Sequence, residues 1–457
     1  MNLNKGSQNQ EGAGGSGGKS SDQFSRYGFI LAAIGSAVGL GNMWKFPYIT
    51  GKYGGAAFFL VFIICLIAVG LPVLLAEMAI GRGGRGNAST SMVRLSGKKS
   101  WGGFGFISIF GSFMIFSYYA VVAGWTLHYA YLSFTGQLFG GADFGTQFGD
   151  FIGGYLPVFY QLLVVLLTAW VVAVGISSGI ERFNKILIPG LVVLLILLVI
   201  RSLTLDGAGA GVEFFLNPDF SKLSPTAVLV ALGHAFFSLS LGMGVMITYG
   251  AYVSKQQSLS KAALAVGFGD LLYAFLAGLI IFPTTFAFNL EPAQGPGLVF
   301  VVLPTAFEAM PFGALFGGLF FILLAVAALT SAVSLLEVPV AYVMEKWKMS
   351  RTKAVWMTAI ICFIVGLPSA LSVGGAVSGL TFGGKTFFDW MDFLSSNVLL
   401  PVGGLVVTLF AGWVWKDAYS EADLTPGWYK VWKFALRWVA PILVVLVLLI
   451  SSGVISE

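Results

Sequence analysis

Two histidines and two cysteines in 457 residues leave little from which to build a His/Cys metal centre, a disulfide framework or histidine-based catalysis. Both cysteines, Cys65 and Cys362, fall inside apolar stretches. Charge is equally sparse: Asp, Glu, Lys and Arg make up 10% of the chain, against about 25% in a soluble domain. The net charge of +5 is no nucleic-acid footprint. There is no nucleotide-binding loop either, since Gly39 and Gly41 lie within an apolar span rather than after a strand. These shortages argue against an enzyme and against a soluble protein.

What the chain has is apolar length, with 57% hydrophobic residues and a mean hydropathy of +0.88. Eleven stretches reach the ~20 residues that cross a bilayer. They lie near 27–50, 55–80, 101–136, 156–175, 179–202, 226–253, 262–289, 312–345, 352–371, 386–415 and 434–454. The chain is therefore expected to be an all-α polytopic membrane protein. With a cytoplasmic N-terminus, 20 of its 25 Lys and Arg fall on the inner side, and the exceptions are Lys45, Lys52, Arg201, Lys222 and Lys385. That bias fixes the expected orientation in the cell membrane. An odd number of spans then places Glu457 outside.

Two spans are interrupted in the same way. GSAVGLGNMWKFP (35–47) carries Gly39 and Gly41 around Leu40, and SLSLGMGVM carries Gly242 and Gly244 around Met243. In hydrocarbon an unwound backbone is tolerated only where it faces protein or a polar cavity. A pair of Gly-interrupted spans in corresponding halves points to the midplane site of a secondary transporter. Overlaying spans 1–5 on 6–10 brings the two breaks together, and five being odd, the halves run with opposite polarity. The expected plan is a flexible tail (1–22), a first repeat (23–202), an outer loop with span 6 (203–253), the rest of the second repeat (254–415), and a cytoplasmic loop with span 11 (416–457).

Four long motifs carry a family resemblance: GSAVGLGNMWKFPYITGKYGGAAF, GISSGIERFNKILIPGLVVLLILLVIRSLTL, GHAFFSLSLGMGVMITYGAY and LTSAVSLLEVPVAYVMEKWKMSR. They resemble the neurotransmitter:sodium symporter family, in particular its eleven-span bacterial branch and the Bacillus-type carriers of multiple hydrophobic amino acids. The resemblance implies the LeuT-like fold and sodium-coupled uptake of L-α-amino acids by alternating access. For one sodium ion it implies the carbonyls of Gly35, Val38 and Ala327 with the hydroxyls of Thr330 and Ser331. For the other it implies the Ala37 carbonyl, Asn42, Ser238 and Asp270. Many relatives have Asn where this chain has Asp270, and some have Glu or Ser at Ala274. The expected consequence is a fixed negative charge that makes chloride unnecessary. His234 stands where relatives often have Gln, and is expected to be a buried neutral imidazole bonded to its neighbours.

The same resemblance implies a substrate pocket. Gly39 replaces the Asp of amine carriers and leaves room for a substrate carboxylate, which Tyr119 would bind together with the freed N–H groups near Gly39 and Gly41. Carbonyls near Ala37, Phe237 and Ser240 would meet the amine. The side-chain cavity maps onto Ile115, Val122, Phe237, Ser240, Met243, Ser331 and Leu335, with Gly242 adding no bulk. It favours aliphatic and aromatic side chains over charged ones.

Lys45 and Asp392 match the outer ion pair, with Asp389 nearby and Lys standing where Arg is usual. Glu345 matches the inner acid that pairs with an N-terminal Arg, and KSSDQF offers only Lys19 with Phe24 in its place. Gly179 and Pro189 mark an end of span 5 expected to unwind, since Pro189 offers no N–H to Lys185. A proton-coupled carrier using Asp270, His234 or Glu77, or an amino-acid sensor of the same architecture, stays open on this reading. So does the oligomeric state.

Overall fold

The structure, a computed structural model, describes residues 23–139, 143–291 and 297–451. The whole of the expected tail (1–22) and Glu457 therefore lie outside the described residues. Nine helices among them are long and apolar enough to cross a membrane. They are α3 (Ala56–Gly84), α4 (Trp101–Phe134), α5 (Leu156–Val174), α6 (Ile176–Leu203), α9 (Leu259–Ala287), α10 (Gly313–Trp347), α11 (Arg351–Ser372), α12 (Phe387–Val414) and α13 (Pro426–Leu449). A further span is broken into α1 (Arg26–Ala37) and α2 (Gly41–Lys52), bent by 43°. The expected span at 226–253 is two short helices, α7 (Pro225–Ser238) and α8 (Val245–Ala251). A total of eleven thus depends on taking α7 and α8 as one broken span.

Helix starts follow local chemistry. Ser25, Ser224 and Ser258 each accept a bond from the first turn of the helix that follows, and Pro225 opens α7. Thr386 and Asp389 form a reciprocal capping box at the start of α12. Asp389, expected at the outer gate, is thereby committed to holding its own helix end.

The breaks have equally local causes. Val38 turns out of helical geometry at φ −79°, ψ 85°, which ends α1. Between α7 and α8, Ser240, Gly242 and Gly244 all take positive φ. A Cβ on Gly242 would lie 2.2 Å from the Leu400 carbonyl, so glycine is required there by both backbone and space. The longest helices, α4 and α10, pack along each other, and α1 lies against α6, α9 and α10. This arrangement wraps both breaks in protein rather than lipid.

Candidate functional site

The C-terminal end of α1 leaves carbonyls that no helical N–H takes up. Side chains from α9 and α10 and the second break close around them. Asn42, Ser238 and Asp270 form one fully buried cluster. Asn42 Nδ2 donates to Asp270 Oδ1 at 2.7 Å, while the Ser238 hydroxyl lies 2.6 Å from Asp270 Oδ1 and 2.7 Å from Asn42 Oδ1. A hydroxyl has one proton and cannot serve both acceptors. Asp270 Oδ2 is buried with no hydrogen-bond partner among the described residues. An oxygen-rich pocket short of protons is what a hard cation completes.

A second oxygen cluster lies where α10 crosses α1. Ser331 Oγ is 3.3 Å from the Gly35 carbonyl and 3.2 Å from that of Ser36, again one proton for two acceptors. Thr330 Oγ1 bonds back to the Ala327 carbonyl at 3.0 Å. Ser331 thus meets the Gly35 and Ser36 carbonyls just before the break at Val38, while Thr330 and Ala327 bond to each other within α10.

Between the clusters lies a cavity of about 30 Å³ bounded by Ala37, Gly39, Gly41, Ile115, Tyr119, Phe237, Ser240, Met243, Ser331 and Leu335. Ten of the twelve residues expected at the pocket therefore line it. Val122 instead faces an outer cavity of about 230 Å³. Gly242 lies behind the site, its N–H bonded to Glu77 Oε1 at 2.7 Å. Glu77 thus holds the second break in shape. So small a cavity has room for water but not for a molecule the size of an amino acid. The Leu40 N–H donates to Tyr119 Oη at 3.4 Å, so the tyrosine already faces the freed backbone of the first break.

Leu40, Gly41, Tyr119 and Phe237 border both cavities, which makes Tyr119 and Phe237 the partition between them. Lys45 and Asp392 share the outer cavity but do not pair. Asp392 accepts from Tyr118 Oη at 3.0 Å and Ser396 Oγ at 2.9 Å, while the Lys45 ammonium sits 5.0 Å above the Phe237 ring. Hydroxyls and an aromatic face satisfy the two charges separately, so the expected outer ion pair is not formed here. His234 also departs from expectation. Neither ring nitrogen has a hydrogen-bond partner among the described residues, and the ring stacks on Phe46 at 5.7 Å.

The opposite face is closed more firmly. Phe24 is buried against Phe29, Tyr249 and Tyr252, and its N–H donates to the Tyr252 carbonyl at 3.2 Å. Lys19, the expected partner of Glu345, lies outside the described residues, and Glu345 is engaged elsewhere. The Glu345 carboxylate accepts from Arg94 Nη2 at 2.9 Å and Asn87 Nδ2 at 2.6 Å, partners in the α3–α4 connection. A buried pair that the sequence reading missed lies beneath Phe24: Arg351 bonds Glu337, which also accepts from Tyr252 Oη at 3.1 Å. Arg82, also missed, is buried and donates to Glu421, Asp423 and the Gln257 carbonyl. Burial acts to raise the Glu421 carboxyl, but bonds and charge from Lys255 and Arg82 outweigh it and hold it below the usual range.

Gly179 falls in a wide helical turn at Ile176–Glu181, and a Cβ there would lie 2.2 Å from the Val171 carbonyl. This end of α6 packs directly on α1. Glu181 accepts from Ser25 N and Oγ at 2.8 and 2.6 Å, and Asn184 Oδ1 sits 2.0 Å from where a Cβ on Gly35 would be. It therefore covers the backbone of the second oxygen cluster.

The fold is that of a sodium-coupled membrane carrier. The description "Sodium:neurotransmitter symporter family" matches residues 22–141 and 150–456, and the chain belongs to that family. Its members are sodium-coupled transporters, not enzymes. Among curated relatives, an uncharacterized sodium-dependent transporter of Bacillus subtilis, YhdH, is 40% identical over 94% of this chain and 98% of its own. One from Haemophilus influenzae is 38% identical over 94% of this chain and 97% of its own. Among solved structures, that of MhsT in complex with L-phenylalanine is 49% identical with a TM-score of 0.88, covering 94% of this chain and 99% of that one. The expected LeuT-like architecture is the one found.

Proposed function

We propose that this chain couples sodium entry to uptake of hydrophobic L-α-amino acids, aliphatic and aromatic, across the cell membrane. The observation that carries the reading is the small apolar cavity flanked by two oxygen clusters, one holding the buried Asp270 carboxylate with an unpartnered oxygen. One sodium ion sits among the Ala37 carbonyl, Asn42, Ser238 and Asp270. A second sits among the Gly35, Val38 and Ala327 carbonyls with Thr330 and Ser331. The substrate carboxylate lies against the break at Gly39 and the Tyr119 hydroxyl, with its side chain toward Ile115, Met243 and Leu335. The 49% identical MhsT structure, which holds L-phenylalanine, supports this substrate class. Each sodium charge moved inward contributes about 2.3 kcal/mol per 100 mV. The N-terminus is cytoplasmic and the C-terminus extracellular.

Asp270 supplies the negative charge, so replacing chloride with gluconate should leave the initial rate of leucine uptake unchanged. A severalfold fall would contradict that role. Inward opening begins where α6 covers the second cluster, aided by Pro189. Replacing Pro189 with Ala restores a helical bond and should slow leucine uptake about tenfold while equilibrium binding in sodium stays within twofold. Equal losses in both would remove α6 from gating.

A further inference from the structure

We propose that a trough between α4, α10 and α11 holds the acyl chain of an anionic phospholipid, with the headgroup on the lysines at its end. The trough, about 200 Å³, is walled by Phe106, Phe110, Tyr342, Trp347, Met357 and Ile361. Phe106, Phe110, Trp347 and Ile361 are each 41–58% exposed although they lie in membrane-spanning helices. Its occupant is therefore a membrane component rather than a solute. One turn beyond Tyr342 on α10 stands Lys346, and one turn before Met357 on α11 stands Lys353, each on the face of its trough residue. Lys98 and Lys99 precede α4. All four are exposed, and among the described residues none forms an ion pair. Apolar walls ending in unpaired ammonium groups match an acyl chain ending in a phosphate, and basic pockets between helices bind such headgroups.

The probes are phosphatidylglycerol and phosphatidylcholine of the same chain length, added to the full-length protein in detergent and followed by native mass spectrometry. Phosphatidylglycerol should remain bound at collision energies that strip phosphatidylcholine. The doubly substituted K346Q/K353Q should weaken its retention roughly thirty-fold. Ile361→Trp, which fills the trough and keeps the lysines, should displace it too. Melting temperatures without lipid show whether the variants are folded, and K346R/K353R, which preserves charge, should retain the lipid. Equal retention of the two lipids by the parent protein overturns the proposal. So does a phosphatidylglycerol preference that survives K346Q/K353Q, or a lipid-free dimer that Ile361→Trp separates.

Discussion

Asp270→Asn should weaken sodium binding by between about one hundred-fold and several thousand-fold, the range set by removing one partner of a buried charge pair. The carboxylate is fully buried, and its Oδ1 is already engaged by Asn42 and Ser238. Oδ2 is buried and has no hydrogen-bond partner among the described residues. An amide keeps the shape and the Oδ1 bonds but removes the charge that offsets sodium. The affinity for sodium, read from sodium-dependent phenylalanine binding, is the direct measure. Because the lost charge is what matters, high chloride should partly restore binding in the Asn variant and do nothing for the parent. Sodium affinity within threefold of the parent would show that Asp270 is not a ligand.

Gly39→Asp should abolish amino-acid binding, a loss of at least about one hundred-fold. A Cβ at this position would lie 2.7 Å from Ser331 Oγ and 3.4 Å from Tyr119 Oη, in a cavity with about 30 Å³ free. Even Ala overfills the site, at about 1–3 kcal/mol for forcing extra atoms into a packed space. The Asp carboxylate adds repulsion against the carboxylate of the substrate. Gly39→Ala should therefore bind measurably less well than the parent, and Gly39→Asp not detectably. Phenylalanine binding by the purified variants in sodium checks this, with melting temperature as the control for folding. Binding by the Asp variant within tenfold of the parent would move the substrate carboxylate away from the first break.

Much of this site was legible because its signals are local. Gly39, Gly41, Gly242 and Gly244 stand out against spans that otherwise favour helix, and the breaks occur where they lie. Asn42, Ser238 and Asp270 are polar residues placed where hydrocarbon makes polarity costly, and they meet. The face of a glycine was not legible. Gly242 packs its missing side chain on Leu400 rather than opening the cavity, a matter of how α7 and α12 approach. The inner closure was read from one acid, Glu345, whose partners turned out to be Arg94 and Asn87. Glu337 was the better signal, an acid in the middle of LLEVPV, and the same cost argument that marked Asp270 applies to it. Arg82 looked like one more inner-side charge, because its partners lie in connections more than 170 residues away. The Lys45–Asp392 pair failed for a related reason, since Tyr118 and Phe237 satisfy those charges first.

The central claim, sodium-driven uptake of hydrophobic amino acids, is tested most directly in proteoliposomes. Labelled leucine and tryptophan are offered with an inward sodium gradient, and again with choline or potassium in its place. Sodium-dependent accumulation of both above the external concentration is the predicted result. Uptake that ignores sodium but follows a proton gradient would contradict it.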